Sequence, residues 1–390
     1  MKTIQLRSDL SNCTGCGACS VACPVQAIAM ETDAQGFIRP VIDTGRCILC
    51  GKCAAVCPME HPTESFAPKA AYAAVGKERG LVKNSASGGV FASMARKVVA
   101  QGGMAAGAVM TVADDGVDVF HLASDAEADI ASMQGSKYTQ SRAWESYDRV
   151  LLALREGKTV LFSGTPCQVA AIKTVSGDPE HLITVDLICH GVPSCAMLRD
   201  YLKLLGKRFR TKVKAVCFRD KSVSRDFTAC IETDRKNFRL KSSLMSYYAL
   251  FLKGEIYRSS CYSCPYACPD RVSDITIGDY WGIGEHHPEL ASGEKHWSCV
   301  LVNSAKGQQW LEHCKGELEL FPSELTWISS RNHQLNHPSQ LPDSRNSWLS
   351  SYEQEGYKGV ERKFIRENGG YLKYFRNLYK SNRQFRKESE

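Results

Sequence analysis

Apolar positions along the chain fall into alternating helical and extended patterns from about residue 90 onward. Val90, Phe91, Met94, Ala95 and Val98 share one face of a predicted helix over 90–100, and Tyr147, Val150, Leu151 and Leu154 share one face of another over 145–155. A strand over 159–162, a helix over 168–175 opened by Gly164-Thr165-Pro166, a strand over 182–188 and a helix over 195–205 follow. Further strands are expected over 213–218, 229–233, 274–277 and 298–303, with helices over 244–252 and 308–314. Interleaving of this kind implies a mainly α/β body. The first 64 residues carry no such rhythm, and there cysteine takes over.

Cys13, Cys16, Cys19 and Cys23, with Pro24 behind them, repeat as Cys47, Cys50, Cys53 and Cys57 with Pro58 behind. This doubled C-x2-C-x2-C-x3-C-P run is the pattern of a two-cluster 4Fe-4S module, in which the fourth cysteine of each run ligates the other cluster. Cys13, Cys16, Cys19 and Cys57 are then expected to hold one cluster, and Cys47, Cys50, Cys53 and Cys23 the other. Gly15, Gly17 and Gly51 let the backbone approach the sulfides. Zinc fits poorly, because its sites pair two separated C-x2-C units. The organisation read from the sequence is α+β: a bacterial two-cluster ferredoxin module over 1–64, an α/β domain over 70–330 and a basic, aromatic extension over 331–390.

Of 390 residues, 43% are hydrophobic, which suits a folded globular protein. Eighteen cysteines would suggest disulfides in a small secreted chain. Here eight lie in cluster motifs and the start MKTIQLRSDL lacks the apolar core of a signal peptide, so a reducing cytoplasm is expected. No apolar run is long enough to span a membrane; 98–112 is broken by Gln101, Gly102 and Gly103. The net charge of +7 is unevenly spread, since residues 357–390 hold ten Lys or Arg against four Glu. A tail of this kind is either a solvated amphipathic helix or a dock for an acidic electron donor or a membrane surface. Nucleic-acid binding ranks third and is not expected, because no recognition motif accompanies the charge.

Four further groups carry candidate chemistry. Ser87-Gly88-Gly89 runs directly into the helix over 90–100, where free N–H groups at a helix start favour an anion such as a dinucleotide pyrophosphate. Cys261, Cys264 and Cys268, followed by Pro269, repeat the end of the ferredoxin run with one cysteine missing. Three thiolates need a fourth, and Cys167 or Cys189, each at the end of a predicted strand, can complete a third cluster. Zinc and a redox-active dithiol are the alternatives for this group. His190 beside Cys189 is a candidate proton relay, and Lys137 next to Tyr138 a candidate neutraliser of phosphate or reduced-flavin charge.

Ser87-Gly88-Gly89, Gly135-Ser136-Lys137-Tyr138, Gly164-Thr165-Pro166-Cys167-Gln168, the stretch from Asp186 through Cys189-His190-Gly191 to Ser194, and Asp274 to Gly282 together resemble, in order and spacing, the coenzyme F420 hydrogenase/dehydrogenase beta subunit family. The likeness covers roughly residues 70 to 330. It implies FAD, at least one intrinsic 4Fe-4S cluster, and hydride or electron exchange at the flavin. Carried over, it places Ser87, Gly88, Gly89, Lys137 and Tyr138 at FAD-contacting positions and Cys261, Cys264 and Cys268 at cluster ligands. Gly164 and Thr165 join the cofactor-binding set.

The function expected is an iron-sulfur flavoprotein oxidoreductase, with two N-terminal 4Fe-4S clusters, a third, and FAD. Its partners would be ferredoxin or another redox protein on one side and a small-molecule or protein substrate on the other, with Lys137 and His190 near the flavin. Two alternatives stand beside it: an electron-transfer subunit of a larger redox complex without a substrate of its own, and a flavin-dependent disulfide reductase.

Overall fold

The computed structural model describes residues 10–113, 116–221, 227–291 and 296–387. The first nine residues, and Glu388 and Glu390 of the tail, lie outside them. In the N-terminal part, strands β1 (Ile28–Thr32) and β2 (Ile38–Ile42) pair antiparallel with Met30 opposite Pro40. Two short helices, Ala18–Val21 and Lys52–Ala55, start symmetrically after Gly17 and Gly51, whose φ values of 79° and 74° place them in the left-handed region. A side chain at Gly17 would meet Trp144 Cβ at 2.4 Å, so this glycine also serves close packing against the body of the protein.

The body is built on an eight-stranded mixed sheet. Its strands are β3 (Ala70–Gly76), β4 (Met104–Ala113), β5 (Gly116–Ser124), β6 (Val160–Gly164), β7 (Leu182–Leu187), β11 (Ile275–Asp279), β12 (Ser298–Val302) and β13 (Leu318–Ser323). Strands β8 (Val213–Cys217), β9 (Thr228–Thr233) and β10 (Phe238–Lys241) form a separate three-stranded sheet. The large sheet runs in the order β13-β3-β12-β11-β7-β6-β4-β5, with β4, β6, β7 and β11 mutually parallel. Strand β3 runs the same way as β11, because each is antiparallel to β12 between them. Helices cover both faces, which is why β6 and β7 read as near-continuous apolar runs. Leu161 of β6 packs on one side with Met94, Val98, Ile275 and Leu311, and its neighbour Phe162 packs on the other with Tyr147, Val169 and Ile172.

The expected helices and strands from residue 90 onward are all present, with ends shifted by a few residues. The β4-β5 hairpin was not legible as strands: Gly102, at φ 80°, and Gly103 turn the chain from the helix Val90–Ala100 directly into β4, so the apolar stretch reads as one broken run. Strand β3 and edge strand β13 also escape the periodicity, the first because it is mostly alanine and the second because Pro322 interrupts it.

The cysteine-rich part is not a bead on a string. Phe37 is buried among Met197, Leu198 and Tyr201 of the body, and Ala18 among Tyr147 and Val169. The polar stretch after Cys57 is tied down as well, since Phe66 and Arg271 exchange two backbone hydrogen bonds of 2.8 Å. Helices Arg345–Glu355 and Tyr357–Glu367 likewise contribute Trp348, Leu349, Val360, Phe364 and Ile365 to a core shared with Tyr201 and Tyr247. Among the described residues, no helix is long and apolar enough to cross a membrane.

Candidate metal centre

The carboxyl ends of β3, β6, β7 and β11 share one edge of the sheet, the edge at which open α/β sheets gather functional loops. Beyond β6, Thr165 caps the helix Pro166–Ser176 in a reciprocal capping box with Gln168, and this fixes Cys167 in the first helical turn. Thr165 Oγ1 lies 3.2 Å from Cys167 Sγ. Beyond β7, Cys189 leads into Gly191, whose φ of 133° carries the chain close against the Tyr257 ring. From a third segment, the turn Ser259–Ser263 and the residues after it bring in Cys261 and Cys264.

Cys167, Cys189, Cys261 and Cys264 line one cavity, of about 550 Å³ including its opening to solvent, together with Thr165, His190, Arg258 and Tyr266. Both candidates for the fourth position are therefore there at once. Cys268 is not: its Sγ donates to the Pro265 and Asp270 carbonyls at 3.3 and 3.2 Å, at the surface. Burial, reinforced by the neighbouring thiols, pushes Cys167, Cys261 and Cys264 up to about 11 and Cys189 well above the usual thiol range.

The N-terminal cysteines lie close together. Cys19 feels the charges of Cys16, Cys13, Cys57 and Cys53, and Cys53 those of Cys50 and Cys23. Cys23, Cys47, Cys50 and Cys53 line a second cavity, walled by Ile28, Ile42 and Ile48. All eighteen thiols are free of disulfides. Among the described residues, no three His, Cys, Asp or Glu side chains are grouped to hold a single metal ion.

Two buried arginines that sequence reasoning passed over build the centre. Arg258 Nη2 donates 2.7 Å bonds to Ile38 O and Gln140 Oε1, and its Nη1 a 3.1 Å bond to Cys13 O. It thus joins the Cys261 segment to the first ferredoxin loop, with its plane over Phe37. Ser260 Oγ also donates to Cys13 O. Arg271 holds the far end of the Cys261–Cys268 loop through Tyr266 O at 2.8 Å and pairs with Asp186 of β7 at 2.9 Å, both groups being buried. The only sequence signal for either was an arginine close to a cysteine run. Tyr266 and Tyr147 each lie within electrostatic reach of both Cys16 and Cys167, so the ferredoxin thiols and the cavity thiols are neighbours.

The remaining candidates form a second group beyond the ends of β3 and β11. Ser87 Oγ donates to Trp297 O, and Gly88 N–H to Ser298 Oγ, both at 2.9 Å. A side chain at Gly88 would meet Ala74 O at 2.5 Å, so that glycine answers strand packing, while Gly89, at φ 78°, opens the helix Val90–Ala100. Lys137 Nζ caps the carbonyls of Ser132, Met133 and Gln134, and burial pulls it down to about 7. Tyr138, at φ 42°, stacks on Phe251 at 4.5 Å. Lys221, which the sequence did not single out, donates 2.6 Å to Ser87 O, and Arg219 pairs with Asp279 at 2.6 Å beside Phe227 and Trp281. His190 senses the charge of Asp279 and so stands between the two groups. Gly164 and Thr165 sit on the cysteine side.

A two-cluster ferredoxin part clamped against a further cysteine-lined cavity defines an iron-sulfur electron-transfer protein. Residues 157–324 match the family described as the C terminus of the Coenzyme F420 hydrogenase/dehydrogenase beta subunit, and residues 12–61 and 39–101 match 4Fe-4S dicluster domains. Behind a dicluster domain, the chain thus carries a segment over residues 157–324 that matches that beta-subunit family. Among solved structures it is similar to a chain of the xenon-derivatised F420-reducing [NiFe] hydrogenase complex from Methanosarcina barkeri, at 15% identity over 77% of this chain and 92% of that one, with a TM-score of 0.45. No curated protein matches it.

Proposed function

We propose that the protein is an iron-sulfur flavoprotein oxidoreductase with three 4Fe-4S clusters and FAD, organised as a cluster module over 1–64, a cofactor domain over 70–330 and an extension over 331–390. The observation that carries it is the single cavity into which three separate segments deliver Cys167, Cys189, Cys261 and Cys264, against the loop of Cys13. A cluster suits that cavity: four thiols meet there, and Arg258 Nε is buried with no hydrogen-bond partner among the described residues. When bound, 4Fe-4S cores exchange single electrons, and a flavin exchanges them singly or in pairs.

The chain's own residues prepare that chemistry. Arg258 and Gln140 hold the two cysteine-rich segments in register, and Tyr147 and Tyr266 fill the space between the thiol sets and keep water out. For a flavin, the start of the helix Val90–Ala100 with Arg219 and Lys221 offers a place for phosphate charge, and Tyr138 and Trp281 offer aromatic surface. His190 is positioned to relay a proton between this crevice and the cavity wall.

A second reading is favoured by one observation: Ser87, Gly88 and Lys137 are already engaged by the protein's own backbone and side chains, and the matched family is a beta subunit. The chain would then be the electron-transfer subunit of a larger complex. Iron, acid-labile sulfide and released flavin measured on one anaerobic sample decide between them. About twelve irons with one FAD is expected; about twelve without flavin leaves the subunit reading, and about eight overturns the third cluster.

The outer cysteine set gives the partner's place of contact. Cys50 is exposed and follows directly on Ile48 and Leu49, which are 60% and 49% exposed, in a segment that also carries Arg46 and Lys52. Leu49→Asp, at an exposed position outside the lining of the cavity of Cys23, Cys47, Cys50 and Cys53, is expected to slow reduction by an acidic ferredoxin about tenfold, with iron content unchanged. Stopped-flow bleaching of cluster absorbance checks this, and an unaltered rate moves the contact elsewhere.

A further inference from the structure

The last helix, Gly370–Lys387, contains no acidic residue and six basic ones. Its backbone follows two glycines in the left-handed region, Gly369 at φ 92° and Gly370 at φ 81°, which set its direction independently of the preceding helix. One face docks on the protein. Tyr374 and Leu378 are buried, Tyr374 Oη donates 2.8 Å to Leu244 O, and Arg208, paired with Glu361 at 2.6 Å, lies over the rings of Tyr374 and Phe375.

Beside that docked face, at roughly 100° of rotation per residue, Tyr371, Phe375, Tyr379 and Leu372 follow one another around the helix. They are 47%, 43%, 69% and 92% exposed. Next around the circumference come the exposed Arg376, Lys380 and Lys373, and the sequence continues with Arg383, Arg386 and Lys387. The helix therefore presents an outward apolar arc edged by a stripe of cations. Four large apolar side chains exposed side by side form a patch of the kind that marks an interaction surface, and a cationic stripe with no counter-charge on its own helix calls for an anionic surface outside it. Aromatic and leucine side chains beside lysine and arginine suit the boundary between lipid headgroups and acyl chains.

We propose that this helix is a peripheral membrane anchor that lays its Tyr371–Phe375–Tyr379–Leu372 arc into a bilayer rich in anionic lipid, with Lys373, Arg376 and Lys380 at the headgroups. The proposal is independent of which cofactors the protein holds.

The test is co-sedimentation of the full-length holoprotein with phosphatidylcholine vesicles, with or without phosphatidylglycerol. Binding is expected to the phosphatidylglycerol vesicles alone, and to weaken with salt. Lys373→Gln, Arg376→Gln and Lys380→Gln together are expected to lower it roughly a hundredfold, and Leu372→Asp with Tyr379→Asp to abolish it. All five positions are exposed, so cluster absorbance is expected to stay unchanged and to certify the fold. Three results would overturn the proposal: no binding at low salt, equal binding to neutral vesicles, or binding indifferent to both sets of substitutions. A concentration-dependent dimer lost in the Leu372→Asp variant would overturn it too, by assigning the arc to a second copy of the chain.

Discussion

Replacing Cys189 by serine is expected to lower the iron of the purified chain from about twelve atoms to about eight, and Cys167→Ser is expected to do the same. Cys268→Ser is expected to leave all of it in place. The reason is geometric. Cys167, Cys189, Cys261 and Cys264 line one cavity, whereas the Cys268 thiol is turned to the carbonyls of Pro265 and Asp270 at the surface. A cubane needs four thiolates, and serine at one of them leaves an iron corner with a weak ligand. Iron and sulfide analysis with low-temperature electron paramagnetic resonance of the dithionite-reduced protein reads the result, the N-terminal pair serving as internal reference. If Cys268→Ser loses four irons and Cys189→Ser loses none, the ligand set is the wrong one.

Arg271→Met is expected to cost about 3–5 kcal/mol of stability, the usual loss when one member of a buried ion pair is removed. Asp186, fully buried, is left without its cation, and the carbonyl of Tyr266 loses its donor. Burial already holds the Asp186 carboxyl above the ordinary carboxylate range, with Arg271 opposing that rise. Losing the guanidinium lifts it further. A carboxyl whose folded pKa exceeds its unfolded one favours folding while protonated and loses that contribution as pH rises through the folded value. The deficit of the variant is therefore expected to be smallest at acid pH and to grow toward neutrality, as denaturant midpoints at several pH values would record. Adding Asp186→Leu is expected to restore much of the loss, since an apolar pair replaces an orphaned charge. A deficit that shrinks as pH rises would show that Asp186 is not the group left uncompensated.

Local spacing made the ferredoxin runs legible. The eight cysteines sit close together in sequence, and the glycines between them take the left-handed conformations their positions suggest. The α/β character was equally plain, because β6 and β7 are apolar runs and the helices beside them carry one-sided stripes. Strand β3, built largely of alanine, was not, since alanine announces neither strand nor core.

The sequence alone determined the spacing of the cysteines and, through the order of five short motifs, a resemblance to the beta-subunit family whose model matches residues 157–324. Which cysteines meet was decided only in three dimensions. Cys167 and Cys189 come from the ends of adjacent parallel strands and Cys261 and Cys264 from a turn some seventy residues further on, so their convergence depends on sheet order. The same holds for Arg258 and Arg271, whose partners Cys13 and Asp186 are distant in the chain. Spacing encodes chemistry that closes over a few residues. Long-range closure is set by strand register and by buried charges that must find partners.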